Sequence, residues 1–267
     1  MREGFLGRPP SMLHVSDWKR TWELDPSVAP HGMKQLSIFH NLPYWGDLLI
    51  NHLIDPMHIF KNVAVVLWKT ITGEKDTKGQ RDDLQEQGRM QHLWAQTRPN
   101  RKVFLPKAPW VLTKNEEKQV KKCIQDFRTP TGCMHCLKGA FTKDDEISRL
   151  KSHDWHKFLQ FVLPPVAIKD CLTEDIRNTL YKISAALVRL ISQKEIPRDT
   201  LESAQLNSIE AVAMVEKFFP SSALTIQMHL LVHIVDEVQV AGTVHSRWMF
   251  FLERFMKTLK GFVRQRA

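Results

Sequence analysis

Along most of the chain, apolar residues recur at intervals of three and four, the period of a helix that buries one face. In "MHIFKNVAVVLWKTITG", Met57, Val63, Val66 and Leu67 fall on one side, and the run stops at Gly73. Asp55 and Pro56 stand in front of it; Asp at the N-cap with Pro at the first helical position is a favoured start. "EKDTKGQRDDLQEQGR" is charged and poor in apolar residues, as in a solvated helix or loop. "RPNRKVFLPKAPWVL" holds three prolines and reads as a linker. Beyond it the helical period dominates. "TKNEEKQVKKCIQDF" opens on Thr113 before acids and closes on lysines, the order that a helix dipole favours. "LKSHDWHKFLQFVL" predicts a second amphipathic helix, halted by Pro164 and Pro165. "TEDIRNTLYKISAALVRLISQKE" starts at Thr173 with acids behind it, and "DTLESAQLNSIEAVAMVEKFF" runs to Pro220. Two more helices flank "AGTVHS", and no stretch alternates convincingly as a strand.

The expected fold class is therefore mainly α. A helical bundle should occupy residues 113–267, preceded by an irregular proline-rich arm (1–35), a segment 36–100 and a proline-rich linker (101–112). An isolated strand near residues 36–55 is compatible with this.

Composition narrows the partners. The 267 residues suffice for one large domain or two small ones, and 43% hydrophobic content is ordinary for a globular chain. Lys and Arg exceed Asp and Glu by 38 to 29, giving a formal charge of +9 and a pI near 9.4. That excess favours an anionic partner, of which nucleic acid is the commonest kind. Four cysteines are too few for a disulfide scaffold, and no apolar run is long enough to span a membrane. The N-terminal stretch lacks the continuous apolar core of a secretory signal, so the expectation is an intracellular protein. Oligomeric state is not legible.

Several residues have the chemistry of a site. His229 and His233 are four apart, so on a helix both project from one face, a spacing that suits two of the four ligands of a zinc ion. Two core histidines hydrogen-bonded to Asp236 or to backbone carbonyls fit the pattern as well, and the apolar neighbours Leu230, Leu231, Ile234 and Val235 predict burial. Cys133 and Cys136 form a Cys-x-x-Cys around His135, half of a zinc site. His229 with His233, or His153 with His156, would be its completion, and a pair of free thiols is the alternative. Asp55 and His58 could bind a metal or position a substrate, although Asp55 also suits a helix cap. Arg254, Lys257, Lys260, Arg264 and Arg266 are interleaved with aromatic residues, as in stretches that contact phosphates; a solvated basic face has the same composition. Glu253 precedes them and reads either as an ion-pair partner or as a catalytic carboxylate.

"LPYWGDLLINHLIDPMHIFKNV", "KAPWVLTKNEEK", "LKSHDWHKFLQFVLPPVAI" and the stretch from Phe218 to the C-terminus together resemble, in order, segments of the plant CACTA (En/Spm) transposases. The resemblance covers residues 36–267. Residues 36–100 are similar to the end of the transposase region, and residues 113–267 to the domain of unknown function behind it. It implies an RNase H-like core, of which residues 36–55 would be a remnant, and three acids holding two divalent ions that stabilise the attacking and leaving oxygens of a phosphodiester. By the same resemblance Glu253 would be the third metal-binding acid, His229 and His233 zinc ligands, and Asp55 with His58 part of the motif opening a helical insertion. The other two acids and the family's own knuckle have no counterpart in this sequence. The expectation is a truncated or decayed transposase fragment, located in the nucleus, without activity or cofactor of its own. Magnesium and zinc are implied only for an intact member. The alternative is a domesticated DNA-binding or protein-interaction module that uses the C-terminal basic helix.

Overall fold

The computed structural model describes residues 38–45, 48, 53–100, 102–134, 136–138, 140, 141, 147, 150–191 and 195–263; for residues 40 and 187–191 it describes the backbone alone. The chain divides into two compact units, Met1–Leu53 and Ile54–Ala267. In the first, the described residues form a short 3-10 turn, Ile38–Asn41, with Phe39 stacked on Trp45 at 5.1 Å between ring centroids. Among these residues there is no strand, so an RNase H-like remnant receives no support from them. The expected arm, residues 1–35, lies outside the described residues.

The second unit is helical, as the periodicity predicts. Helix α1 (Pro56–Ile71) begins where the sequence places it: the Asp55 carboxylate accepts the Met57 N–H at 3.0 Å, and Pro56 occupies the first turn. Phe60, Val63, Leu67 and Ile71 are completely buried, because α1 lies against both α4 (Ser152–Lys157) and α7 (Ile226–Ala241). Gly73 follows with φ +78°, and a Cβ there would lie 3.0 Å from Val111 Cγ1, which explains the glycine at this stop.

Two charged or proline-rich stretches are less solvated than their composition suggests. Helix α2 (Lys78–Glu86) buries Arg81 completely; its guanidinium donates twice to Asp76 (2.7 and 3.0 Å) and to the carbonyls of Leu93 and Pro106 (both 3.1 Å). The stretch expected as a linker holds the short strand β2 (Val103–Phe104), which pairs antiparallel with β1 (Gln96–Thr97) just before it, and then packs into the core. Trp110 is 0% exposed beneath Arg81, and the Leu112 N–H bonds the carbonyl of Ile71.

Helix α3 (Lys114–Asp126) starts on a reciprocal capping box. Glu116 Oε2 accepts the Thr113 N–H at 2.7 Å, and these Thr113 hydrogen bonds hold the Glu116 carboxyl below its ordinary pKa. After α4 the chain departs from expectation. Pro164 and Pro165 do not halt the helix; they lie inside a π-helical segment, Phe158–Ala167, that continues α4. In that wider turn the Ile168 N–H reaches back five residues to Leu163; the two prolines give the ladder no donor, and the Gln160 carbonyl, five residues before Pro165, accepts the Ser184 hydroxyl at 3.2 Å instead. Helices α5 (Glu174–Ile191) and α6 (Arg198–Phe218) pack on each other, α6 packs on α7, and α8 (Phe250–Phe262) follows a 3-10 turn, Val244–Arg247. Among the described residues, no helix is long and apolar enough to cross a membrane.

Candidate nucleic-acid interface

Three residues singled out from the sequence meet at the start of α1. The His58 Nδ1 is hydrogen-bonded to Asp55 Oδ2, and its Nε2 faces Glu253 Oε1 of α8 at 3.7 Å. His58 and Glu253 are half-exposed, so this is a surface latch between two helices. A neutral imidazole can donate to one of the two carboxylates, an imidazolium to both.

Glu253 also lines a cleft of about 1050 Å³ whose other charged walls are cationic: Lys61 of α1, Lys151 and Lys157 at the two ends of α4, and Arg254 and Lys257 of α8. Its aromatic side is a closed circuit of four rings. His153 meets His156 (6.3 Å), His156 meets Trp248 edge-on (5.3 Å), Trp248 meets Phe250 (4.9 Å), and Phe250 returns to His153 (6.1 Å). His245 stacks on Trp248 from outside the circuit. Asp154, fully buried, fixes the start of α4 by accepting the Lys151 N–H at 3.0 Å and lies 3.3 Å from His153. His156 is 4% exposed, and neither its Nε2 nor the Trp248 Nε1 has a hydrogen-bond partner. Loss of hydration, helped by Lys157, pushes the His156 pKa down to about 3, so the ring is neutral.

Cys133 lines the same cleft and Cys136 is exposed; both are free thiols, and His135 lies outside the described residues. His229 and His233 share one face of α7 as their spacing requires, with Nε2 atoms 3.0 Å apart, but they are exposed rather than buried. The buried side of α7 is Met228, Leu231, Ile234, Val235, Glu237 and Val238, and the histidines stand on the opposite face of the helix. Asp236 remains near His233, at 3.8 Å.

These donors do not fit the metals that the resemblance implies. Among the described residues, no three or more His, Cys, Asp or Glu side chains form a group able to hold a metal ion. Two imidazoles make half of a zinc site. Around Glu253, Lys61, Arg254 and Lys257 line the cleft where a divalent pair would need further carboxylates.

Helix α8 has no buried residue. It exposes Arg254, Lys257 and Lys260 together with Phe251, Phe255 and Phe262; Arg264 and Arg266 lie outside the described residues. Sequence reasoning found α8 and Glu253 but not the aromatic circuit. Its signal was a pair of short His- and Trp-containing stretches, "HDWH" and "HSRW", whose meeting depends on tertiary packing.

Residues 191–267 match the family model described as "Domain of unknown function (DUF4218)", which takes in α6, α7, α8 and Glu253 but not α4 or the lysines at its ends. Neither the curated proteins nor the solved structures gave a match.

Proposed function

We propose that the chain is a transposon-related, nucleic-acid-binding module that grips phosphates through this cleft and α8, and that it cuts no strand by itself. The observation that carries the reading is the convergence of Lys61, Lys151, Lys157, Arg254 and Lys257, from three helices, on one cleft beside a basic helix with no buried residue. The family match over residues 191–267 is compatible with a transposon-related protein, and the ordered resemblance to CACTA transposases supports the finer assignment. DNA is then the partner and the nucleus the place of work.

Binding should weaken steeply with salt. Lys257→Ala combined with Lys260→Ala should lower the slope of log K against log salt by about 0.9 for each lysine that touches a phosphate. Fluorescence anisotropy with labelled DNA at several salt concentrations measures this. Salt-independent binding, or no binding, sinks the reading.

One observation favours a second reading, a protein-docking module: Phe251, Phe255 and Phe262 are all more than half exposed on α8. If that reading holds, Phe255→Ala with Phe262→Ala abolishes a protein contact while DNA binding persists.

A further inference from the structure

The cleft has features that gripping a phosphate backbone does not need. Lysines alone would bind phosphates; a wall of rings with two unpartnered polar nitrogens among them does not serve that purpose. Buried polar groups usually find partners, and an orphan costs about 1–3 kcal/mol. His156 Nε2 and Trp248 Nε1 both lack one, on adjacent rings that line the same cleft. The space, about 1050 Å³, is at the upper end of what holds a drug-sized ligand.

Building on the nucleic-acid reading, we propose that this cleft takes a single unpaired nucleotide. Its base lies against the rings around Trp248, its phosphate meets the surrounding lysines, and its edge bonds the His156 and Trp248 nitrogens after these two rings, whose nitrogens are covered in the free chain, turn toward the cleft. The chemistry is complementary at each point. Trp Nε1–H can only donate, and a base carbonyl accepts; a neutral imidazole Nε2 donates or accepts according to tautomer, and base edges offer both. Stacking on aromatic rings tolerates every base because each has a π-face. The cationic rim supplies the counter-charge for one phosphate, and Glu253 at its edge repels a second near His58. A duplex keeps its base faces stacked on one another and cannot offer one to the rings.

The test compares a short labelled single strand with a duplex of the same sequence, on the full chain at one salt concentration. Single-strand binding should be about tenfold tighter or more, and Trp248→Ala should remove about that preference while lowering duplex affinity far less. In case Trp248→Ala does not fold, Trp248→Phe and the exposed His245→Ala repeat the comparison, with circular dichroism verifying the fold. Competition by deoxyadenosine monophosphate would assign the cleft to any nucleotide, and competition by oligonucleotides alone would assign it to a strand. Inorganic phosphate competing as well as the nucleotide, or equal losses on single strand and duplex, overturns the proposal while leaving the phosphate-binding module intact. Absence of all DNA binding by the unaltered chain overturns the module itself.

Discussion

His156 shows how burial sets chemistry at a single residue. Its imidazole is held between the α4 backbone and Trp248 with almost no access to water, and this loss of hydration takes its pKa from the ordinary 6.5 to about 3. The unfolded chain takes up a proton near pH 6.5, whereas the folded chain takes none until about pH 3. His156 therefore contributes stability that is fully present above about pH 6.5 and is lost as pH falls through the window between the two values. Within it the slope approaches about 1.4 kcal/mol per pH unit. Urea unfolding at pH 7 and pH 5 should show this loss, and His156→Phe should flatten it. An unchanged slope in His156→Phe would mean that another group carries the acid sensitivity.

Helix α7 carries the residues whose role the sequence left most open. His229 and His233 project to solvent with their Nε2 atoms 3.0 Å apart, which would let both touch one ion. Asp236 lies 3.8 Å from His233 Nδ1 and also accepts from Gln205. Two exposed imidazoles without two more donors bind zinc weakly. Metal analysis of the purified chain after dialysis should accordingly find no stoichiometric zinc, and treatment with a chelator should leave its melting temperature unchanged. Zinc that survives dialysis and disappears on His229→Ala would refute this. Much of this was legible in advance, because a shared helix face follows from a four-residue spacing. Burial was not, since apolar neighbours surround the histidines in sequence while the packed stripe of α7 lies on the opposite face. The same division holds elsewhere. The caps of Asp55 and Thr113 are local chemistry, and both formed as read. The π-helical path of Pro164 and Pro165, the burial of Arg81 and the packing of Trp110 depend on partners remote in sequence, which no local pattern contains. The cleft is hidden for that reason: Lys61, His156 and Trp248 belong to three distant stretches.

Taken across its length, the chain carries an excess of nine positive charges and concentrates several of them around one carboxylate, Glu253. The surroundings of this residue bear on both possible roles. A third acid of a two-metal nuclease needs other carboxylates within reach of the same ions; Glu253 has His58 at 3.7 Å, with Asp55 on the far side of that ring, and cationic residues lining the cleft beside it. In those surroundings its charge opposes the binding of phosphates. Glu253→Gln should therefore tighten DNA binding at low salt by about two- to fivefold, an effect that salt then screens out. The purified chain should nick neither supercoiled nor linear DNA in the presence of Mg²⁺ or Mn²⁺. Both outcomes are read from one pair of proteins, by anisotropy and by gel. Nicking that needs a divalent ion and is lost in Glu253→Gln would show that the acid serves catalysis and would overturn the binding-only reading. Tighter binding without nicking in either protein would leave Glu253 as a carboxylate that tunes a phosphate-binding surface.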